Sequence, residues 1–174
     1  MTAAGKTPSL AGPQFTNKPT PNMSDNTIPV TDLTQRPPRS LRTRLGGYAL
    51  LPRCLDKGRA TIIGKNGEYH YACPLDQRFL DFVGIDPEAL KKELANDKGD
   101  GDILGWIQQN AQHKRTAPEI VAWSDFEDKR APDNPDSREY FNELHKIGAP
   151  NRTDITGWFD VLDMDDYVSF GGKA

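Results

Sequence analysis

The sequence predicts an α+β fold that is mainly α: a compact cluster of short helices with one small β-hairpin. Three observations predict it. Short segments with helical apolar spacing recur along the chain, most of them opened by a capping residue or a proline. The longest-patterned of these, around Leu51 to Ala60, has one apolar and one charged face. Beyond it, Asn66-Gly67 separates two runs with strand character, and Asn and Gly tolerate the positive φ values a hairpin turn requires.

With 174 residues and a net charge of −3, one globular domain plus a tail is the economical organisation. The hydrophobic share of 36% is low, because the first thirty residues dilute it. Residues 1–30, rich in Thr, Pro, Ala and Asn, read as a disordered tail ahead of a single globular domain at 31–174. Met23 is a second plausible start, so residues 1–22 are read as an extension or as a misassigned start. No apolar run spans a membrane and no secretory signal opens the chain. Two cysteines without a C-x-x-C pair suit a reducing compartment, so the cytoplasm is the expected location.

In chain order, Asp32 to Ser40 is held extended by Pro37-Pro38, and Arg36, Arg39, Arg42 and Arg44 make it basic. Without interleaved aromatics in an acidic chain, a nucleic-acid arm is the poorer reading. Docking on the acidic C-terminal segment is the better one. On the next helix, Leu51, Cys54, Leu55 and Gly58 face a core, while Arg53, Asp56, Lys57 and Ala60 face away with Arg59 at the flank. The plain reading of that charged face is a solvated surface laced with i, i+3 and i, i+4 ion pairs. The sharper one is an anion-binding or proton-transfer face built around Lys57.

The expected hairpin runs from about Ile62 to Tyr71, with Glu68 and His70 on one face and Tyr69 and Tyr71 on the other. Pro74 then opens a helix over Leu75 to Val83. Asp86-Pro87, Gly99-Asp100, Thr116-x-x-Glu119, Asp136-Ser137 and Asp154 to Gly157 start the remaining helices. These are too short to stand alone and must pack together. Trp106, Trp123 and Trp158 are expected in their core.

Few motifs carry chemistry. Asn96 to Asp102 fails as a calcium loop, because Lys98 and Ile107 fall where ligands are needed. Asp163, Asp165 and Asp166 are weak metal candidates, and pairing with the arginines is the stronger reading, so no metal or other cofactor is predicted. His70 and Cys73 have ligand spacing without a second pair. Cys54 reads as core; Cys73 reads as a helix cap before it reads as a reactive thiol.

From Asp32 onward the chain carries D-L-T-x-R-P-P-R-S, L-G-G-Y-x-L-L-P-R-x-L-D-K-G-R-A, G-K-N-G-E-Y-H-Y-x-C-P-L-D-Q-R-F and W-F-D-x-L-D-x-D-D-Y-V-S-F-G-G-K-A. On these motifs it resembles a bacterial family called domain of unknown function 5069. The resemblance implies a small single-domain bacterial protein and brings no activity with it.

Three functional classes follow. The first is binding of a small anionic ligand or a protein partner through Arg39, Arg42, Arg44, Arg53, Lys57, Arg59 and Glu68. The second is an enzyme with Lys57 or His70 as acid/base, aided by Asp56 or Cys73. The third is a purely structural or interaction role. Self-association is open, and membranes are not expected partners. Burial discriminates: a catalytic Lys57 should be desolvated in a cleft, and a shallow surface would favour the third class. Opposite charge concentrated in two distant stretches also predicts that Asp56 and Lys57 meet the segment from Asp163 to Asp166.

Overall fold

The computed structural model describes residues 28–173. Seven helices are seen among them: α1 (Leu51–Ile62), α2 (Pro74–Val83), α3 (Pro87–Leu94), α4 (Asp100–Asn110), α5 (Ala117–Lys129), α6 (Pro135–Gly148) and α7 (Trp158–Ser169). The expected tail lies outside the described residues except for its last three, where the Ile28 amide donates to Asp97 Oδ1 at 2.9 Å.

The mainly helical architecture is as expected, but the hairpin is not there. Among the described residues no strand forms, and the sole bridge joins Leu45 to Tyr48. The β-branched run is absorbed into α1, whose last turn includes Thr61 and Ile62. Ala60 is fully buried and Thr61 Oγ1 donates back to the Lys57 carbonyl, so packing overrides strand propensity. Asn66-Gly67 still turns the chain, with Gly67 at φ 53°, but the loop pairs with the N-terminal segment through Leu33 N–H and the Lys65 carbonyl. The alternation survives without a sheet: Tyr69 and Tyr71 bond inward to Asp166 and the Pro87 carbonyl, while Glu68 and His70 stay exposed.

Local signals place most helix starts. Asp86 caps α3 through the Ala89 amide, and Thr116 and Glu119 form the capping box of α5. Two starts shift. Asn134, followed by Pro135, caps α6 in place of Asp136, and α7 begins at Trp158 with Asp160 accepting from the Gly157 amide.

The main core surrounds the apolar face of α1, where Leu51, Cys54 and Leu55 meet Phe79 and Val83 of α2, Leu90 and Leu94 of α3, and Ile103 and Ile107 of α4. Gly58 permits the close approach of α3: a Cβ there would lie 2.5 Å from Leu94 Cδ1. A smaller core joins Phe141 of α6 to Trp158, Val161 and Met164 of α7. Trp106 and Trp123 are only partly buried against the main core.

The charged face of α1 departs most from expectation. It is not solvated: Arg53, Asp56, Lys57 and Arg59 are 5%, 8%, 2% and 7% exposed. Nor do they pair with one another. Arg53 binds Asp166 of α7, Asp56 accepts from Arg39, Lys57 meets Asp76 of α2, and Arg59 binds Asp100 of α4. A single helix facing several neighbours at once has no solvated side, so helical spacing alone assigns these residues to the wrong environment.

Docking of the C-terminal carboxylates on α1 therefore runs through Arg53, not through Asp56 or Lys57. Arg53 Nη1 and Nη2 lie 2.5 and 3.1 Å from Asp166 Oδ2 and Oδ1, and the Tyr69 hydroxyl donates to Oδ1 at 2.8 Å. Asp163, expected on the same face, instead accepts from Ser40 Oγ, the Leu41 amide and Arg42. Of the basic segment, Arg42 docks on Asp160 and Asp163 as expected, Arg39 turns to Asp56 and Asp100, and Arg44 reaches Asp125 of α5.

Asp165 is different again. Burial, then the neighbouring Asp166, pushes its carboxyl above the usual range. A carboxyl raised on folding stabilises the fold below its unfolded pKa and loses that contribution as pH rises through its folded value.

Two outcomes follow. Arg53→Met, which leaves Asp166 buried and uncompensated, should cost about 3 kcal/mol in denaturant unfolding, whereas Arg44→Met at the exposed Asp125 pair should stay within about 0.5 kcal/mol. Asp165→Asn should raise Tm at neutral pH by about 1–2 °C, and that gain should shrink as pH falls below the carboxylate range.

Candidate functional site

A cleft of about 1360 Å³ opens where the loop of residues 67–73, α1 and the start of α2 face α6 and α7. Its wall holds Arg53 and Lys57 of α1, Cys73 and Arg78 at and within α2, Arg130 just beyond α5, Tyr140 of α6, and Trp158, Asp165 and Asp166 of α7. Arg39, Arg42, Arg44, Arg59 and Asp56 lie outside it, consumed by ion pairs between elements. Glu68 and His70 are exposed on its rim. The sequence reading singles out Arg53, Lys57, Glu68, His70, Cys73, Asp165 and Asp166 for different roles, and the fold places all seven along this cleft. It misses Arg78 and Arg130 of the lining, and Asp76, which lies buried behind it against Lys57.

Three clusters divide the cleft. The first is Lys57, Asp76 and Cys73. Asp76 sits in the first turn of α2 and is almost fully buried, with Oδ1 2.7 Å from Lys57 Nζ. The ammonium also donates to Cys73 Sγ at 3.2 Å. Cys73 occupies the N-cap position of α2, but its side chain caps nothing, so the expected capping role is corrected. Burial pushes the Asp76 carboxyl up, and the Lys57 ammonium only partly offsets it. Asp76 Oδ2 has no hydrogen-bond partner among the described residues. Directly before Cys73, Ala72 adopts φ 56°, a left-handed conformation that costs a residue with a Cβ about 1 kcal/mol. Cys54 lies in the core below, and burial pushes its thiol well up.

The second cluster is acidic. Asp166 is held by Arg53 and the Tyr69 hydroxyl, with the Arg53 guanidinium 5.4 Å from the Tyr69 ring centre. Burial and the bond to Asp166 push the Tyr69 hydroxyl up. Glu68 and Asp165 add two further carboxyls at this end.

The third cluster is basic. Glu127 of α5 is 0% exposed and accepts from Arg78 Nε and Nη2 at 2.7 and 2.5 Å and from Arg130 Nε at 3.2 Å. Two guanidiniums thus share one carboxylate, and Asp133 attracts both more weakly. Burial, then the proximity of Arg78, lowers the Arg130 pKa. Beside them, Arg130 sits 5.7 Å from the Trp158 ring, and Tyr140 lies against the same indole at 6.2 Å. Trp158 is nine-tenths buried, and its Nε1 has no hydrogen-bond partner among the described residues.

The missed residues carried faint signals. Asp76 lies three positions after Cys73, a spacing that returns it to the same side of the helix start. Arg78 is an isolated cation in its helix and Arg130 follows Lys129 at a helix end, and only the fold joins them at Glu127. As for metals, no group of three or more His, Cys, Asp or Glu side chains among the described residues converges to hold an ion. No helix is long and apolar enough to cross a membrane among those residues.

No curated protein matches the sequence. The model of the family described as Domain of unknown function (DUF5069) matches residues 35–168, most of the chain, and the chain belongs to that family.

Proposed function

We propose that the domain binds a small molecule carrying an anionic group, seated in this cleft with its negative charge on Arg78 and Arg130. The observation that carries the reading is the sharing of one buried carboxylate by two guanidiniums in the cleft wall. Arginine suits the task because its planar fork meets carboxylates and phosphates with paired hydrogen bonds. Trp158 and Tyr140 supply an apolar surface for the body of the ligand, the usual composition of a small-molecule pocket. The acidic cluster at Glu68 and Asp165 repels a second negative charge, so the ligand has one preferred orientation. Glu68 therefore acts by exclusion, not as a contact to the anion.

A second reading, an enzyme using Lys57 as acid or base, draws on the burial of Lys57 in the cleft wall against both a carboxyl and a thiol. His70, exposed on the rim with no hydrogen-bond partner among the described residues to orient it, is the poorer candidate for that role. A cleft of this size weighs against a purely structural role.

The test is titration with phenyl phosphate, followed by tryptophan fluorescence. Binding should saturate, weaken with added salt, and weaken about tenfold or more in Arg78→Gln. Arg78 is the position to change because Arg130 still pairs Glu127 when it is removed. No saturable signal, together with no rise in Tm on adding phenyl phosphate, would overturn the reading.

A further inference from the structure

We propose that Cys73 is a nucleophilic site in the cleft, supported by the Lys57 ammonium and held in check by Asp76, that takes a small electrophile bearing negative charge. The last clause rests on the anion-binding reading above; the rest does not.

The argument is one of charge count in a desolvated place. Lys57 Nζ lies 2.7 Å from Asp76 Oδ1 and 3.2 Å from Cys73 Sγ. One cation is therefore within direct reach of two acids. The side chains of Lys57 and Asp76 are almost completely buried, and two anions against one ammonium there would leave a charge that is at best partly solvated. The site favours one anion at a time. At rest it is the carboxylate, the stronger acid of the two. Burial nonetheless raises the Asp76 pKa, because Lys57 and the Ala72 backbone amide only partly offset the desolvation and Oδ2 makes no well-formed hydrogen bond among the described residues. Passing the thiol proton to Asp76 leaves the thiolate as the ammonium's partner with no change in total charge. Lys57 can mediate this transfer, giving one proton to Asp76 Oδ1 and taking the one from Sγ.

Access distinguishes Cys73 from Cys54. Cys73 lines the cleft and is half-buried, whereas Cys54 is fully enclosed in the core. Cys73 at the N-cap of α2 and Arg78 in the middle of that helix both line the cleft, five residues and a rise of about 7.5 Å apart. A molecule whose anionic group rests on Arg78 can thus present an electrophilic carbon to Sγ. In the covalent step the sulfur–carbon bond forms, the leaving group departs with its electron pair, and the thiol proton ends on Asp76.

The experiment alkylates the full-length chain at about pH 7 and reads Cys73 and Cys54 separately by peptide mass spectrometry. Neutral iodoacetamide tests the nucleophile alone. Asp76→Asn removes the competing acid, so Cys73 should react about tenfold faster than in the wild type. Lys57→Met combined with Asp76→Asn removes both buried charges, and the gain should disappear. Cys54 should stay unmodified throughout, which reports that each variant is folded. An unchanged or slower Cys73 in Asp76→Asn overturns the proposal, as does a gain that persists in the double variant. Labelling of Cys54 in Asp76→Asn also overturns it, because the thiolate has then failed to replace the lost carboxylate. Charged iodoacetate tests the anion preference separately. Its rate relative to iodoacetamide should exceed the ratio for free cysteine and fall to it in Arg78→Gln. Failure of this arm alone overturns the preference of Cys73 for a negatively charged electrophile and leaves the nucleophile standing, while the phenyl phosphate titration decides the anion-binding reading separately.

Discussion

The structure depends on one constraint: the charged side chains of α1 are buried, and each must find its counter-ion on a different segment. Arg53 takes α7, Asp56 the N-terminal segment, Lys57 the start of α2, and Arg59 the start of α4. Arg39 ties two of these together by reaching both Asp56 and Asp100. Such pairs add little net stability over well-packed apolar groups, because desolvating the ions costs about as much as their attraction returns. Their effect is on arrangement. A neighbour that docks one turn out of place leaves a charge unpaired in the interior, and that is far more costly than a shifted apolar contact. The apolar face of α1 supplies the burial, and the charged face selects which helices share it.

The cleft follows from the same constraint. The acidic residues that α7 brings to Arg53 are three, Asp163, Asp165 and Asp166, and only Asp166 is taken up by that arginine. Asp163 is used elsewhere, and Asp165 is left at the cleft wall. On the opposite side Glu127 is a single carboxylate for two arginines. One end therefore carries surplus negative charge and the other surplus positive charge.

Much of the fold was legible because its signals are local. Pro74, Asp86, and the Thr116–Glu119 box mark helix starts through groups within a few residues, and these hold in the structure. The β-branched residues after Ala60 misled, because what decides between helix and strand there is the packing of Ala60 against distant elements. The charged face of α1 misled for a related reason. Spacing says which residues share a face but not what that face meets. The site was legible in part. Lys57 and Cys73 are close in sequence to the turns that bring them together, but Arg78, Arg130 and Glu127 meet across about fifty residues, and no short-range pattern encodes that.

Among the buried cations of α1, Lys57 is also the one chemically suited to change state. Arg53 and Arg59 hold their partners with planar guanidiniums that do not give up a proton in proteins, so their pairs are permanent fixtures. Lysine presents three rotatable donors around a point charge and can exchange protons with its neighbours. Here one of those neighbours is a thiol, which makes only a weak hydrogen bond and contributes little as a structural partner. Packing alone needs no second acceptor at that ammonium, since Asp76 already neutralises it. Placing a thiol there, at the wall of the cleft and beside the left-handed Ala72, is the arrangement expected where one buried charge serves two acids in turn.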